Sequence, residues 1–284
     1  MSIAPPVIVG IDGSQPAVDA AIWAVEEALN RGVPLRLIYA VDPDDNGVDH
    51  ENSARALATA ELAIRQAYTA VEATEQPVEI ELEVVQNKPI AALIAASQNT
   101  PLLCVGASGF TQAGRGSIGS VASAVVRSAH CPVAVVATPG KGRRILVEFD
   151  GRPSASTALQ TGVDEARLRD APLSVLTTWQ RRHRELYEQK IAEERNRLAQ
   201  SQLDRRMTRY RKRYRELDLE LITDHSSTAD YLAANPQTVQ LIVVGAERFC
   251  ARSEGAGDVI DPSALGALVD AGCSLLTCDR QQRL

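Results

Sequence analysis

Apolar residues along the first half of the chain fall into short runs separated by longer stretches of helical spacing. Residues 7–11 are a β-branched run, and 35–41 and 102–105 are two more. Positions 78–85 alternate apolar and polar side chains, as in a strand with one more exposed face. A last run, Val133-Ala134-Val135-Val136 after Pro132, is apolar on both alternating faces, as in a strand buried on both sides. Between these runs, 16–31 reads as a helix, with Ser14 as its cap, Pro16 in its first turn and Gly32 at its end. Residues 53–75, 89–98 and 119–128 read as three further helices. Strand alternating with helix predicts an α/β fold, a five-stranded parallel sheet flanked by helices on both faces.

The pattern occurs twice. Ile8-Val9-Gly10-Ile11-Asp12-Gly13-Ser14 returns 138 positions later as Leu146-Val147-Glu148-Phe149-Asp150-Gly151-Arg152. The same shift carries Val25-Glu26-Glu27-Ala28 onto Val163-Asp164-Glu165-Ala166 and Arg31 onto Arg169. Val105-Gly106-Ala107 reappears as Val244-Gly245-Ala246, one position further on. The matches keep their order, which predicts two tandem copies of one Rossmann-like domain, 1–139 and 140–284, joined at Pro139-Gly140-Lys141-Gly142.

Composition narrows the function. Hydrophobic residues are 45% of the 284 positions and aromatics 4%, so the core must be aliphatic. The net charge of −6 argues against general nucleic-acid binding. No apolar run is long enough for a membrane helix, and the N-terminus lacks a basic region ahead of an apolar one. Five cysteines without a Cys-x-x-Cys pair, and four scattered histidines, build neither a disulfide framework nor a zinc site. These features predict a cytoplasmic protein.

In doubly wound sheets, ligands sit beyond the carboxyl ends of the strands. The segment after the fourth strand, Gly106-Ala107-Ser108-Gly109-Phe110-Thr111-Gln112-Ala113-Gly114-Arg115-Gly116-Ser117-Ile118-Gly119-Ser120, holds five glycines. Such a loop exposes backbone N–H groups and leads into a helix start, the arrangement of an anion cradle. Its spacing, Gly106-x2-Gly109-x9-Gly119-Ser120, resembles the Gly-x2-Gly-x9-Gly-Ser/Thr signature of the ATP-binding universal stress proteins. Val9-Gly10-Ile11-Asp12-Gly13-Ser14 and Ala129-His130-Cys131-Pro132-Val133-Ala134-Val135-Val136 also resemble that family's segments. The whole chain resembles its tandem form, with the adenine nucleotide alpha hydrolase-like fold that this implies.

The resemblance implies site residues and ligands. Asp12, flanked by Ile11 and Gly13, would lie beside the nucleotide and any phosphate-bound Mg2+. Ala40 and Val41 would recognise adenine through their backbone. Gly106 and Gly109 would wrap the ribose and first phosphate, and Gly119, Ser120, Val121 and Ala122 would hold the outer phosphates. Arg115 reads equally as a phosphate contact or an exposed loop residue. Substituting Gly106 or Gly119 by valine should then cost ligand without unfolding the chain. Dimerisation through the last strand, common in the family, would pair 132–136 with 274–278 as an intramolecular pseudo-dimer. A homodimer of whole chains fits the family but has no specific signal here.

The second copy departs from the pattern. Gly245 matches Gly106, but Arg248 stands at the second glycine, and Asp261-Pro262 stands at Gly119-Ser120. Asp258 and Asp261 would repel phosphate, and Pro262 removes a donor. This half is expected to be degenerate, leaving one ATP per chain. Residues 181–220 hold 13 Lys/Arg and 8 Asp/Glu; the basic run from Arg205 to Arg215, with Tyr210 and Tyr214 interleaved, could meet nucleic acid or an acidic partner, but the favoured reading is a long solvated helix with Leu198, Leu203 and Met207 on its buried side. Three functions remain: a nucleotide-occupancy switch in stress response or signalling, a weak ATP hydrolase or adenylyl-transferring enzyme, and a ligand-free scaffold. With no Walker lysine and no base pair, catalysis beyond slow hydrolysis is not expected.

Overall fold

The computed structural model describes residues 4–43, 50–108, 118–137, 143–149, 154–178, 197, 201, 203–224, 227–235, 238–249, 266, 269 and 272–278. In the first half the strands are β1 (Val7–Ile11), β2 (Leu35–Val41), β3 (Ile80–Gln86), β4 (Leu103–Gly106) and β5 (Val133–Val136). The helices between them are α1 (Gln15–Arg31), α2 (His50–Glu72), α3 (Pro89–Ala96) and α4 (Ser120–Ser128). In the second half β6 (Arg144–Glu148), β7 (Leu173–Thr178), β8 (Leu219–Asp224), β9 (Val239–Gly245) and β10 (Ser274–Cys278) are accompanied by α5 (Ala155–Leu168), α6 (203–213) and α7 (Thr228–Ala234).

All ten strands form one sheet in the order β3-β2-β1-β4-β5-β10-β9-β6-β7-β8. Every pairing within a half is parallel. The pairing between halves, β5 with β10, is antiparallel, with Leu275 opposite Val135 and Thr277 opposite Val133. Two side chains of β10 reinforce this seam: Thr277 Oγ1 accepts from Val133 N at 3.0 Å and Ser274 Oγ from Ala137 N at 3.1 Å.

Local sequence explains the first helix. Ser14 Oγ caps α1, accepting from Ala17 N at 3.4 Å. Gly32 ends it at φ 63°, a left-handed position that spares Gly the Cβ penalty. Its small buried face (Ala17, Ala20, Ala21, Ala24, Ala28) lets the helix lie close on β1 and β4. Leu37 on β2 and Ala67 on α2 join α1, α5 and α6 in one core on one side of the sheet. Leu93 of α3, Val125 of α4 and Leu232 of α7 belong to a second core on the other side. Both cores run across both halves.

One sequence expectation shifts. The alternation over 78–85 continues to Gln86 and begins at Ile80, and Leu82 and Val84 on it are 51% and 40% exposed. β3 is the edge strand among the described residues, and α2, which packs chiefly on β2, covers this apolar row only in part. Polar side chains cross the other face, where Arg36 Nε donates to Glu81 at 2.6 Å. Leu203 and Met207 are buried as expected, while Leu198 lies outside the described residues. Among the described residues no helix is long and apolar enough to cross a membrane.

Candidate functional site

At the carboxyl ends of β1, β2 and β4 the first half opens a cleft of about 770 Å³. In the sheet, β1 sits between β2 and β4, so the chain leaves it on one side and returns on the other. This is where connections part to leave a crevice. Its volume is within the range of small-ligand sites, roughly 300–1,000 Å³.

Nine of the sequence-selected residues, from four separate segments, meet on its walls: Ile11, Asp12, Ala40, Val41, Gly106, Gly119, Ser120, Val121 and Ala122. Ala40 and Val41 end β2 and put two small apolar residues on the wall. Ser120, Val121 and Ala122 form the first turn of α4, whose N–H groups have no acceptor within the helix. That end carries about half a positive charge, which favours an anion in the cleft. The turn is anchored from below: Gly119 N donates to Ala107 O at 2.9 Å, and Ala107 N to Val136 O at 2.9 Å.

Asp12 is exposed at the mouth of the cleft. Its Oδ1 accepts from Ser14 N at 2.9 Å and Ser14 Oγ at 2.5 Å, which fixes the carboxylate and leaves its second oxygen toward solvent. Gly13 is not on the wall. Its φ of 83° makes the turn that brings Ser14 back to Asp12. Beyond the wall residues selected from sequence, β2 contributes Tyr39, whose phenol is pushed up by burial and by the Asp12 carboxylate, so it stays protonated. Gly109 and Arg115 lie outside the described residues. Among the described residues no group of three His, Cys, Asp or Glu could hold a metal ion.

Gly106 has a second reason to be glycine. A Cβ there would stand 2.6 Å from the Pro16 carbonyl carbon and 2.8 Å from Ala17 N, both backbone atoms of the first turn of α1. The expectation that Gly106→Val leaves the fold intact is therefore corrected: the residue is a contact between strand and helix before it is a cleft wall. Gly119, by contrast, sits at φ −58° and ψ 151°, a conformation open to any residue. Sequence reading missed Gly10, Ala56 and Thr59 of α2, and Pro89 and Leu93 of α3, all on the wall. Gly10 could have been found, because a residue without a side chain at the end of an otherwise β-branched strand marks a close approach. The α2 and α3 residues carry no such signal.

In the second half the counterpart of Gly10 is Glu148, 3% exposed. Its Oε1 accepts from Thr228 Oγ1 at 2.5 Å. Thr228 opens α7 as Pro89 opens α3. Where the Leu93 side chain closes over Gly10 in the first half, Glu148 reaches from β6 to the start of α7. Asp150, Asp258, Asp261 and Pro262 lie outside the described residues, as does the side chain of Arg248.

The model of the universal stress protein family matches residues 5–137 and again 142–272. The chain is 39% identical over 284 residues to the universal stress protein Rv2028c of Mycobacterium tuberculosis, covering 98% of this chain and 97% of that one. It is 32% identical over 279 residues to Rv2624c of the same organism, with 96% of each chain covered. Among solved structures, a universal stress protein of Archaeoglobus fulgidus superposes with a TM-score of 0.66 at 15% identity, over 97% of this chain and 96% of that one. This last likeness is one of fold.

Proposed function

We propose that this chain, which belongs to the universal stress protein family, binds ATP with Mg2+ in its first half and uses nucleotide occupancy as a conformational or partner switch in stress response. The observation that carries the reading is the convergence on one cleft of β1, β2 and β4 ends and the start of α4. The wall suits the ligand's chemistry: Ala40 and Val41 offer an apolar patch for a purine, the N–H groups of Ser120, Val121 and Ala122, which have no acceptor within α4, suit phosphate, and the Asp12 carboxylate stands on the same wall. A magnesium ion would be held by phosphate oxygens near Asp12 rather than by a protein cage. Gly109, by the family pattern, would complete the loop.

The β5–β10 pairing supports a pseudo-dimer as the working unit, in which the first half takes the nucleotide and the second serves as structural partner. Among the described residues Cys104, Cys131, Cys273 and Cys278 form no disulfide, which suits a reducing cytoplasm. Extraction and chromatography of nucleotide from the purified full chain tests the proposal. Recovered ATP, or micromolar ATP binding by the stripped protein, is expected. Absence of both would leave the ligand-free scaffold as the function.

A further inference from the structure

A second polar constellation lies far from the cleft, between α1 and α5 where the halves meet. Glu27 is fully buried on α1 and is ion-paired to Arg31 one turn on. The repeat places Glu165 and Arg169 in the matching positions at the end of α5, where they form the same pair. Two equivalent pairs meeting across a pseudo-twofold axis would be expected to exchange equal contacts. They do not. Arg169 reaches over: it pairs with Glu165 through one terminal nitrogen and donates to Glu27 Oε1 at 2.7 Å through the other. Arg31 donates instead to Glu27 and to its backbone carbonyl. Glu27 is therefore bracketed by two guanidinium groups and Glu165 by one. Arg169, 7% exposed, also stacks over Trp23 of α1 with its guanidinium carbon 4.7 Å from the ring centroid.

Two buried carboxyl groups in contact cannot both ionise cheaply. The one with fewer cations takes the proton. We propose that Glu165, Glu27 and Arg169 form a clasp between the halves that holds one shared proton, and that losing this proton loosens α1 from α5. Its contacts fit: burial first, and the Glu27 carboxylate second, push the Glu165 carboxyl up to about 8, against the pull of Arg169 and Arg31. The other titratable or charged groups around the cluster are Glu26 of α1, whose charge acts on Arg169, and Cys104 of β4, whose thiol burial and the two glutamates keep neutral. Because the folded chain keeps the proton to a higher pH than the unfolded chain, the clasp is fully formed in acid. It weakens as pH rises from the ordinary glutamate range through about 8. The clasp is independent of the nucleotide.

Infrared titration of the full chain from pH 6 to pH 10 reads the proton directly as a protonated-carboxyl C=O band. A Trp179→Phe background leaves Trp23 as the only tryptophan, so its fluorescence reports the Arg169 stack. The band should fade, and the fluorescence change, with a common midpoint near 8, and both transitions should vanish in Glu165→Gln. Glu27→Gln offers a second reading if Glu165→Gln does not fold: the band's midpoint should move to lower pH once the neighbouring carboxylate is gone. A chain with no protonated carboxyl band at pH 6, a band that survives Glu165→Gln, or a midpoint unmoved in Glu27→Gln would overturn the shared proton. A Trp23 signal that stays flat while the band titrates would overturn the clasp.

Discussion

Gly106 and Gly245 end the fourth strand of their halves, and each lies against the start of the helix that leaves the half's first strand. At Gly106 the neighbours are backbone atoms of Pro16 and Ala17. At Gly245 they are the Oγ and Cβ of Ser154, the residue that matches Pro16. A second pair diverges further. Gly10 lets the Leu93 side chain of α3 close down on β1, with Leu93 carbons 3.1–3.2 Å from where a Cβ would stand, while Glu148 carries a buried carboxyl across to Thr228. The halves thus share the close packing of strand and helix and differ in what stands above it. The glycine kept in both halves serves the fold, and the glycine kept in only one marks the cleft.

The largest effect expected from this comparison is on stability. Gly106→Val forces a side chain into backbone that cannot turn aside, and overpacking of this kind costs about 3 kcal/mol or more. Gly245→Ala presses on Ser154, whose Oγ can rotate away but whose Cβ, 2.8 Å from the new methyl, cannot; it adds one carbon rather than three and should cost less than Gly106→Val. Denaturant unfolding of the two variants checks the order. Equal stability of Gly106→Val and wild type would break the account of the shared glycine.

Much of this architecture is legible in the sequence because it is local or repeated. Ser14, Pro16 and Gly32 announce α1, and the repeat of Val-Gly-Ala announces the two β-strands that end at Gly106 and Gly245. The cleft residues were readable because they follow strand ends in a known order. The clasp was not, although both Glu-Arg pairs were visible as part of the repeat. What joins them is the antiparallel β5–β10 seam, which brings Arg169 to Glu27 from 142 positions away. The exposure of Leu82 and Val84 was equally hidden, since period-2 alternation is the same in an edge strand and an inner one.

A smaller effect, confined to binding, is expected at the start of α4. Gly119→Val keeps an allowed backbone conformation, so stability should change by no more than about 1 kcal/mol. Its side chain would stand where phosphate must approach the helix N-terminus, and ATP affinity should fall about a hundredfold, roughly 2.7 kcal/mol. Calorimetric titration of the folded variant decides; unchanged affinity would remove the phosphate from this wall. Asp12→Ala should do less, weakening Mg-ATP about tenfold and metal-free ATP hardly at all. An equal loss for both forms would place Asp12 against the nucleotide itself rather than its metal.

The smallest effect is expected where the halves differ most. One ATP per chain is predicted, because the second half has the buried Glu148 in place of Gly10 and Asp261-Pro262 in place of Gly119-Ser120. Glu148→Gly removes only the first of these. It deletes a buried carboxylate together with its hydrogen bond to Thr228, and puts glycine at the end of a strand. These changes oppose one another: the lost hydrogen bond is worth roughly 1 kcal/mol, while keeping the carboxyl buried has its own desolvation cost. A net change of about 1 kcal/mol in stability is expected. Stoichiometry should remain near one, since a carboxylate within about 4 Å of phosphate still opposes binding by on the order of 4 kcal/mol at an effective dielectric near 20. Titration of Glu148→Gly giving two sites would show that Glu148 alone separates the halves, and that the glycine loop of the first half is not what the nucleotide requires.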